Sequence, residues 1–404
     1  MSPKLEKWLG LATLLMLMPS LIFQTAVIVQ PQLVNSWKIT EWLVSYRGGF
    51  VRRGLAGEFI RFLASGSGLA PSVVIAVLTF AIFTVFCLWL WVALKNYVPV
   101  YLLFSPLLLG MPVYSSFVGK KDVLLALAFL AGMTVLFRPW PASIRLLLLN
   151  TIAVLCILMH EAFIFIALPM FVYSYSRLTW GELLPFRAAV RFLPALAAAL
   201  AVIVCKGNPQ VAEAITQDWN MFFRAEAPEY CCFAQRPAAI QAIGWTTLRG
   251  LRMSYNVFTG FRGPIWLPLI WAASLFFTIL AISVLMKRDD FVTRFFQLHL
   301  FEVQLFCGLP LFLLGSDFGR WIFLIVTTAV IAGALWSAEA PEQRPRQKPL
   351  LLPFLYPNSG VALPVFVLCF AAVPMCCWNL LPYVLRMPPV SVLHSIYRIM
   401  LLGS

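Results

Sequence analysis

Apolar runs of about 20 residues recur along this 404-residue chain from one end to the other, each matching the roughly 30 Å hydrocarbon core of a bilayer. They lack the period-two alternation of a membrane barrel, and a bilayer leaves the backbone few other ways to satisfy its hydrogen bonds. The expected fold is therefore all-α: a polytopic bundle of about 10–11 membrane helices. Charged residues make up 11% of the chain and apolar ones 61%, whereas an ordinary soluble domain is roughly a quarter charged. No stretch is long and polar enough for a separate soluble domain, so residues 1–404 are expected to form one integral-membrane domain.

Helices are expected at 9–30, 71–94, 97–117, 123–137, 146–173, 192–206, 263–286, 297–316, 320–337 and 358–385. The first is too long, and too poor in a small-residue cleavage site, to be a cleaved signal peptide. Two long connections, 31–70 and 207–262, hold most of the Gly, Trp, Arg and acidic residues outside the apolar runs, and loops of that length usually carry function. Lys4 and Lys7, then Lys287, Arg288 and Arg294, then Arg344, Arg346 and Lys348 mark cytoplasmic segments, which ten simple crossings cannot reconcile. A re-entrant hairpin over 146–173, folded at His160-Glu161, restores the parity. Each arm would be about 14 residues or roughly 21 Å, too short to span. The N-terminus is then cytoplasmic, and 31–70, 118–122, 160–161, 207–262 and 315–320 face outward.

In a soluble protein the net charge of +14 would suggest nucleic acid. Here the Lys and Arg residues sit in short segments between apolar runs, so membrane lipids with anionic or phosphorylated headgroups are the expected partners, and nucleic acid is not. No Cys/His spacing suggests a metal centre. Among the nine cysteines, a disulfide between the vicinal pairs Cys231-Cys232 and Cys376-Cys377 stands beside reduced thiols as an alternative.

Four polar clusters could carry chemistry. In the first outer loop Arg47, Arg52 and Arg53 alternate with Gly48, Gly49 and Gly54, six positions beyond Glu41. Guanidinium forks beside glycines suit a phosphate or pyrophosphate, and an interfacial amphipathic segment running on through Glu58 and Arg61 is the alternative. Lys120, Lys121 and Asp122 form the second cluster, where Asp122 either serves a site or caps the helix that follows. His160 and Glu161 interrupt an apolar stretch, where ionisable groups are costly; they form either a site or a pair that pins the hairpin. Asp317 and Arg320 open a helix and either join the site or pair with each other three residues apart. His299 and Glu302 could relay protons but more simply pack against a neighbouring helix. The fourteen tryptophans are mostly expected in an aromatic belt.

This arrangement resembles the C-type integral-membrane glycosyltransferases and the polymerases of bacterial O-antigen, capsule and exopolysaccharide repeat units. Glu41 occupies the place of their acidic residue on the first outer loop. Ser105-Pro106 leading to Lys120-Lys121-Asp122 is similar to their Pro-rich ascending helix and charged outer turn, and His160-Glu161 to their short-helix tip. The resemblance implies a bacterial inner-membrane enzyme that takes a polyprenyl-phosphate- or pyrophosphate-linked sugar donor to a saccharide acceptor on the outer face. Arg47, Arg52 and Arg53, assisted by Lys120, Lys121 or Arg320, would hold the leaving phosphate, with His160 and Glu161 in support. Glu41 would be the base, with Asp122 and Asp317 behind it. No cofactor is required, although a divalent metal between carboxylates is compatible with the site. A transporter or lipid-linked-saccharide flippase, and a non-catalytic component of an envelope assembly complex, are the competing classes.

Overall fold

The computed structural model describes residues 3–30, 36–115, 117–181, 185–233, 235–259, 267–286 and 298–339, with isolated positions among 291–295 and 390–397. The longer helices are α1 (Pro3–Ile28), α2 (Gly54–Ser67), α3 (Pro71–Leu94), α4 (Asp122–Phe137), α5 (Ala142–Met159), α6 (Leu168–Trp180), α7 (Leu193–Val204), α8 (Pro209–Glu226), α9 (Thr247–Phe258), α10 (Leu267–Leu285), α11 (Leu300–Leu314) and α12 (Phe318–Glu339). No strand occurs among the described residues. Four helices, α1, α3, α5 and α12, are long and apolar enough to cross a membrane, five if the bent pair α7 and α8 counts as one span. Three apolar helices, α4, α10 and α11, are shorter. The described residues are thus helical, with several apolar helices compatible with a multi-pass membrane protein. The expected helix at 358–385, Cys376-Cys377 and the basic residues of 287–294 and 344–348 lie outside the described residues.

Three expectations change. Residues 97–117 form two short helices, Val100–Leu103 and Gly110–Tyr114, in place of one membrane helix. Pro106 supplies no amide hydrogen at the break, and the Ser105 hydroxyl turns back to donate to the Leu102 carbonyl at 2.7 Å. The segment is almost wholly buried, so protein rather than lipid surrounds its irregular backbone. Second, the helix does break at His160, whose backbone is extended, but its first arm starts at Ala142 and runs 18 residues, roughly 27 Å. Pro141 begins that arm early. The premise that both arms are too short to span therefore fails. Third, the described residues of 207–259 are folded rather than a loop. Asn208 caps α8 by accepting the Val211 amide at 2.8 Å, Pro209 stands at its first position, and Ile215, Trp219, Phe222 and Phe223 are buried on its apolar side.

Contacts divide the chain into two compact units. Unit 1 comprises residues 1–23, 85–117 and 251–404. Its organising helix is α12, 89% of whose apolar window is buried and which packs on α10, α11 and Gly110–Tyr114. Gln304 on α11 donates to Thr328 of α12 at 2.6 Å.

Unit 2 comprises 24–84 and 118–250 and carries most of the polar clusters. Its α5 packs against α2, α4 and α7. Asn150 clamps α5 to the start of α7, donating to the Arg191 carbonyl at 3.0 Å and accepting the Ala195 amide at 3.4 Å. The chain turns 96° between α7 and α8 through Gly207 at φ +94°, where a Cβ would stand 2.1 Å from Ile243. A second apolar cluster gathers Trp42, Leu43 and Ile60 with Trp219, Phe223 and Ile240. Trp219 fixes the first loop to α8 by donating to the Leu43 carbonyl at 2.6 Å. Arg61 pairs with Asp218 and lies over Trp219 and Phe222.

A tight helix crossing offers a direct check on this packing. A Cβ on Gly132 of α4 would come within 2.2 Å of the Phe171 ring of α6, which is itself stacked on Phe129 and fully buried. Gly132→Ala is expected to cost about 1–3 kcal/mol, visible as a lowered melting temperature of the purified protein.

Candidate functional site

Three sequence clusters meet in unit 2. The first loop contributes Glu41, which follows the short helix Trp37–Thr40 and is fully buried. Its Oε1 accepts the Lys121 amide at 2.9 Å, so an anionic group sits at the N-terminus of α4, the end that favours negative charge. The Lys121 side chain is fully buried too. Its ammonium donates to the Met159 carbonyl at 3.1 Å and lies 5.6 Å from the Trp42 ring. Trp42 in turn donates to the Gly119 carbonyl at 2.8 Å. A buried ammonium needs such partners, because leaving it unsolvated costs several kcal/mol.

The Met159 carbonyl that holds Lys121 belongs to the last turn of α5, and the next two residues are His160 and Glu161. His160 Nδ1 accepts the Ala162 amide at 3.2 Å, which requires that nitrogen to be unprotonated. Its 3.8 Å approach to Glu161 is therefore not an ion pair in this state. Glu161 is gripped from the other side. Arg53 meets it with two nitrogens, Nε at 2.6 Å and Nη2, while Arg52 Nη1 approaches at 3.4 Å. Arg52 also donates to the Ala242 carbonyl at 3.1 Å. Arg53 adopts a left-handed backbone at φ +69°, a conformation costing a non-glycine residue about 1 kcal/mol or more. Its bidentate contact with Glu161 offsets that strain.

Burial alone pushes the Glu161 carboxyl upward, but the Arg53 and Arg52 guanidinium groups outweigh it and hold the group well below the ordinary 4.5. A depressed carboxylate stabilises the fold fully above its unfolded value and loses that contribution as pH falls through the folded value. The difference in melting temperature between the protein and its Glu161→Gln variant is accordingly expected to stay constant from about pH 8 to about pH 5 and to shrink only below about pH 4.

The other expected site residues are distributed as follows. Arg47 leaves its neighbours and pairs at 3.6 Å with Glu58, half exposed, so the three arginines do not form one fork. Asp122 is fully buried but is the first residue of α4, with Lys121 in the cap position; it is not the cap. Lys120 is buried beside it. In unit 1 Asp317 pairs with the buried Arg320, whose guanidinium lies 5.3 Å from the Trp321 ring. His299 and Glu302 approach to 3.6 Å at an exposed helix start rather than packing against a neighbour. Trp42, Trp219, Trp271, Trp321 and Trp336 are buried in the protein and so do not belong to an aromatic belt. Cys231 and Cys232 are joined to each other. Among the described residues no group of three or more His, Cys, Asp and Glu side chains is arranged to hold a metal ion.

Trp42, the Met159 carbonyl and the Ala242 carbonyl escaped the sequence reading. A tryptophan one residue from Glu41 was the one available sign; backbone carbonyls leave none. No family model, curated protein or solved structure matches the chain.

Proposed function

We propose that the protein is a membrane-embedded glycosyltransferase or polysaccharide polymerase that uses a polyprenyl-phosphate- or pyrophosphate-linked sugar donor in bacterial envelope synthesis. One observation carries the reading: two polar groupings, Glu41 with Lys121 and Arg52 and Arg53 with Glu161, are drawn from three separate stretches and are held to the same turn at Met159-His160-Glu161. Transfer from such a donor needs cations for the leaving phosphate and a carboxylate for the acceptor proton. Arg52 and Arg53, with Lys120 and Lys121, take the first role. Glu41 takes the second, with Asp122 as its nearest substitute. In direct displacement the acceptor oxygen forms the new bond as the phosphate departs, the proton goes to the carboxylate, and the anomeric centre inverts. A divalent metal is compatible with the reading but not required by it.

Translocation of the same lipid-linked saccharide is the second reading. The helix break at His160, with ionisable groups at the interruption, is a feature that transporters also use. Purified protein in nanodiscs, supplied with polyprenyl-pyrophosphate saccharide and an oligosaccharide acceptor, distinguishes the two. Glycosidic product with inverted configuration supports transfer; movement of intact donor between leaflets without product supports translocation.

A further inference from the structure

Glu161 holds the seat that an incoming phosphate would need. Its carboxylate presents two oxygens to the Arg53 fork and one of them also to Arg52, the same edge that a phosphate offers to guanidinium groups. The three side chains are between 17% and 27% exposed, so the seat is mostly buried yet retains some contact with solvent. One donor is left over: Arg52 Nε is buried and makes no hydrogen bond among the described residues. A single carboxylate thus satisfies only part of a two-guanidinium seat, and a tetrahedral phosphate has oxygens for the rest. Glu161 also stands at the break between α5 and Phe163–Ile166, outside any helix, where a side chain can swing away without unwinding one.

We infer that Glu161 is a built-in competitor: it occupies the Arg52–Arg53 seat in the ligand-free protein and is displaced by the phosphate or pyrophosphate group of the ligand. The inference rests on the phosphate-binding role proposed above and adds the exchange to it. With the seat empty of ligand, Glu161 neutralises two cations that would otherwise repel each other. When phosphate arrives, the ion pairs to Glu161 break, those to phosphate form, and the released carboxylate turns out of the seat. No covalent bond changes.

The exchange sets a sign that a purely supporting salt bridge does not. Removing the internal anion strengthens ligand binding, because the ligand no longer has to displace it; removing a strut weakens binding. Full-length protein in nanodiscs would be titrated by calorimetry with inorganic pyrophosphate and, separately, with polyprenyl pyrophosphate incorporated in the disc. Glu161→Gln is expected to bind pyrophosphate about tenfold more tightly or better. Arg53→Gln added to it should abolish the gain, and Glu213→Gln, which removes an equal charge from the exposed Arg236 pair, should change nothing. Should Glu161→Gln fail to fold, Glu161→Asp keeps the charge, shortens the reach by one methylene, and is expected to tighten binding by a smaller factor. A gain with both ligands identifies the phosphate group alone as sufficient; a gain with the lipid arm only identifies a lipid headgroup, and either supports the exchange. Unchanged or weaker binding by a folded Glu161 variant overturns it. Sugar transfer by the unsubstituted protein with no gain in affinity in the variant would sink the exchange and leave the proposed function standing, whereas a gain in affinity in the variant with no transfer by the unsubstituted protein would do the reverse.

Discussion

Glu41→Gln is expected to reduce sugar transfer about 10²–10⁴-fold, the usual contribution of a positioned general base, while donor binding and melting temperature change little. The amide retains an oxygen to accept the Lys121 amide now bonded to Glu41 at 2.9 Å, so the turn before α4 keeps its anchor. What it loses is the capacity to take a proton. Asp122→Asn is the matched comparison, since Asp122 is equally buried and lies beside the same lysine. A large loss with Asp122→Asn and none with Glu41→Gln would move the base to Asp122. Asp317→Asn serves as the comparison in unit 1 and is expected to act on stability, because Asp317 is engaged by Arg320.

Gly57→Ala is expected to be the most damaging small substitution in unit 2. An added Cβ would stand 2.2 Å from the Val44 carbonyl oxygen and 2.9 Å from the Ser45 nitrogen. Both obstacles are backbone, and the Gly57 amide is bonded to that same Val44 carbonyl at 2.9 Å. Neither strand of chain can yield without giving up that bond, so the cost is about 3 kcal/mol or more. The loop that carries Glu41 would then detach from α2, and activity would fall together with stability. Gly66, on the same helix with open space around it, provides the opposite case: Gly66→Ala is expected to be neutral or to stabilise by about 0.5–1 kcal/mol. Thermal melts of both variants in one detergent check the pair.

These expectations show where sequence reading succeeded. Bilayer physics acts on composition, so α1, α3 and α12 were legible from length and apolar content alone. The break at His160-Glu161 was visible because two ionisable groups in an apolar run are costly enough to require a structural reason. Residues 97–117 were not legible: apolar content is the same for a spanning helix and for an irregular segment buried inside protein, and only the prolines at 106 and 112 hinted at the difference. The folding of the described residues of 207–259 was missed because the polar side of α8 resembles a loop unless Ile215, Trp219 and Phe222 are read at helical spacing.

The candidate site shows the same division. Residue types that bear charge announced themselves, and the structure brings Glu41 and Lys121 to the Met159 carbonyl, next along the chain to the turn that carries Glu161. Their partners did not announce themselves. Arg47 and Arg52 are equivalent in sequence, yet the local presence of Glu58 draws one away while Glu161, more than 100 positions distant, holds the other. Long-range charge pairing depends on tertiary contacts that local spacing does not encode.

The central claim, that the unit 2 cluster transfers sugar from a lipid-linked donor, is tested most directly by the lipid-linked saccharide in host cells whose protein is replaced by Glu41→Gln, measured for amount and leaflet. The account predicts that the precursor accumulates in the outer leaflet, delivered but not consumed. A normal precursor level, or precursor retained in the inner leaflet, would contradict it.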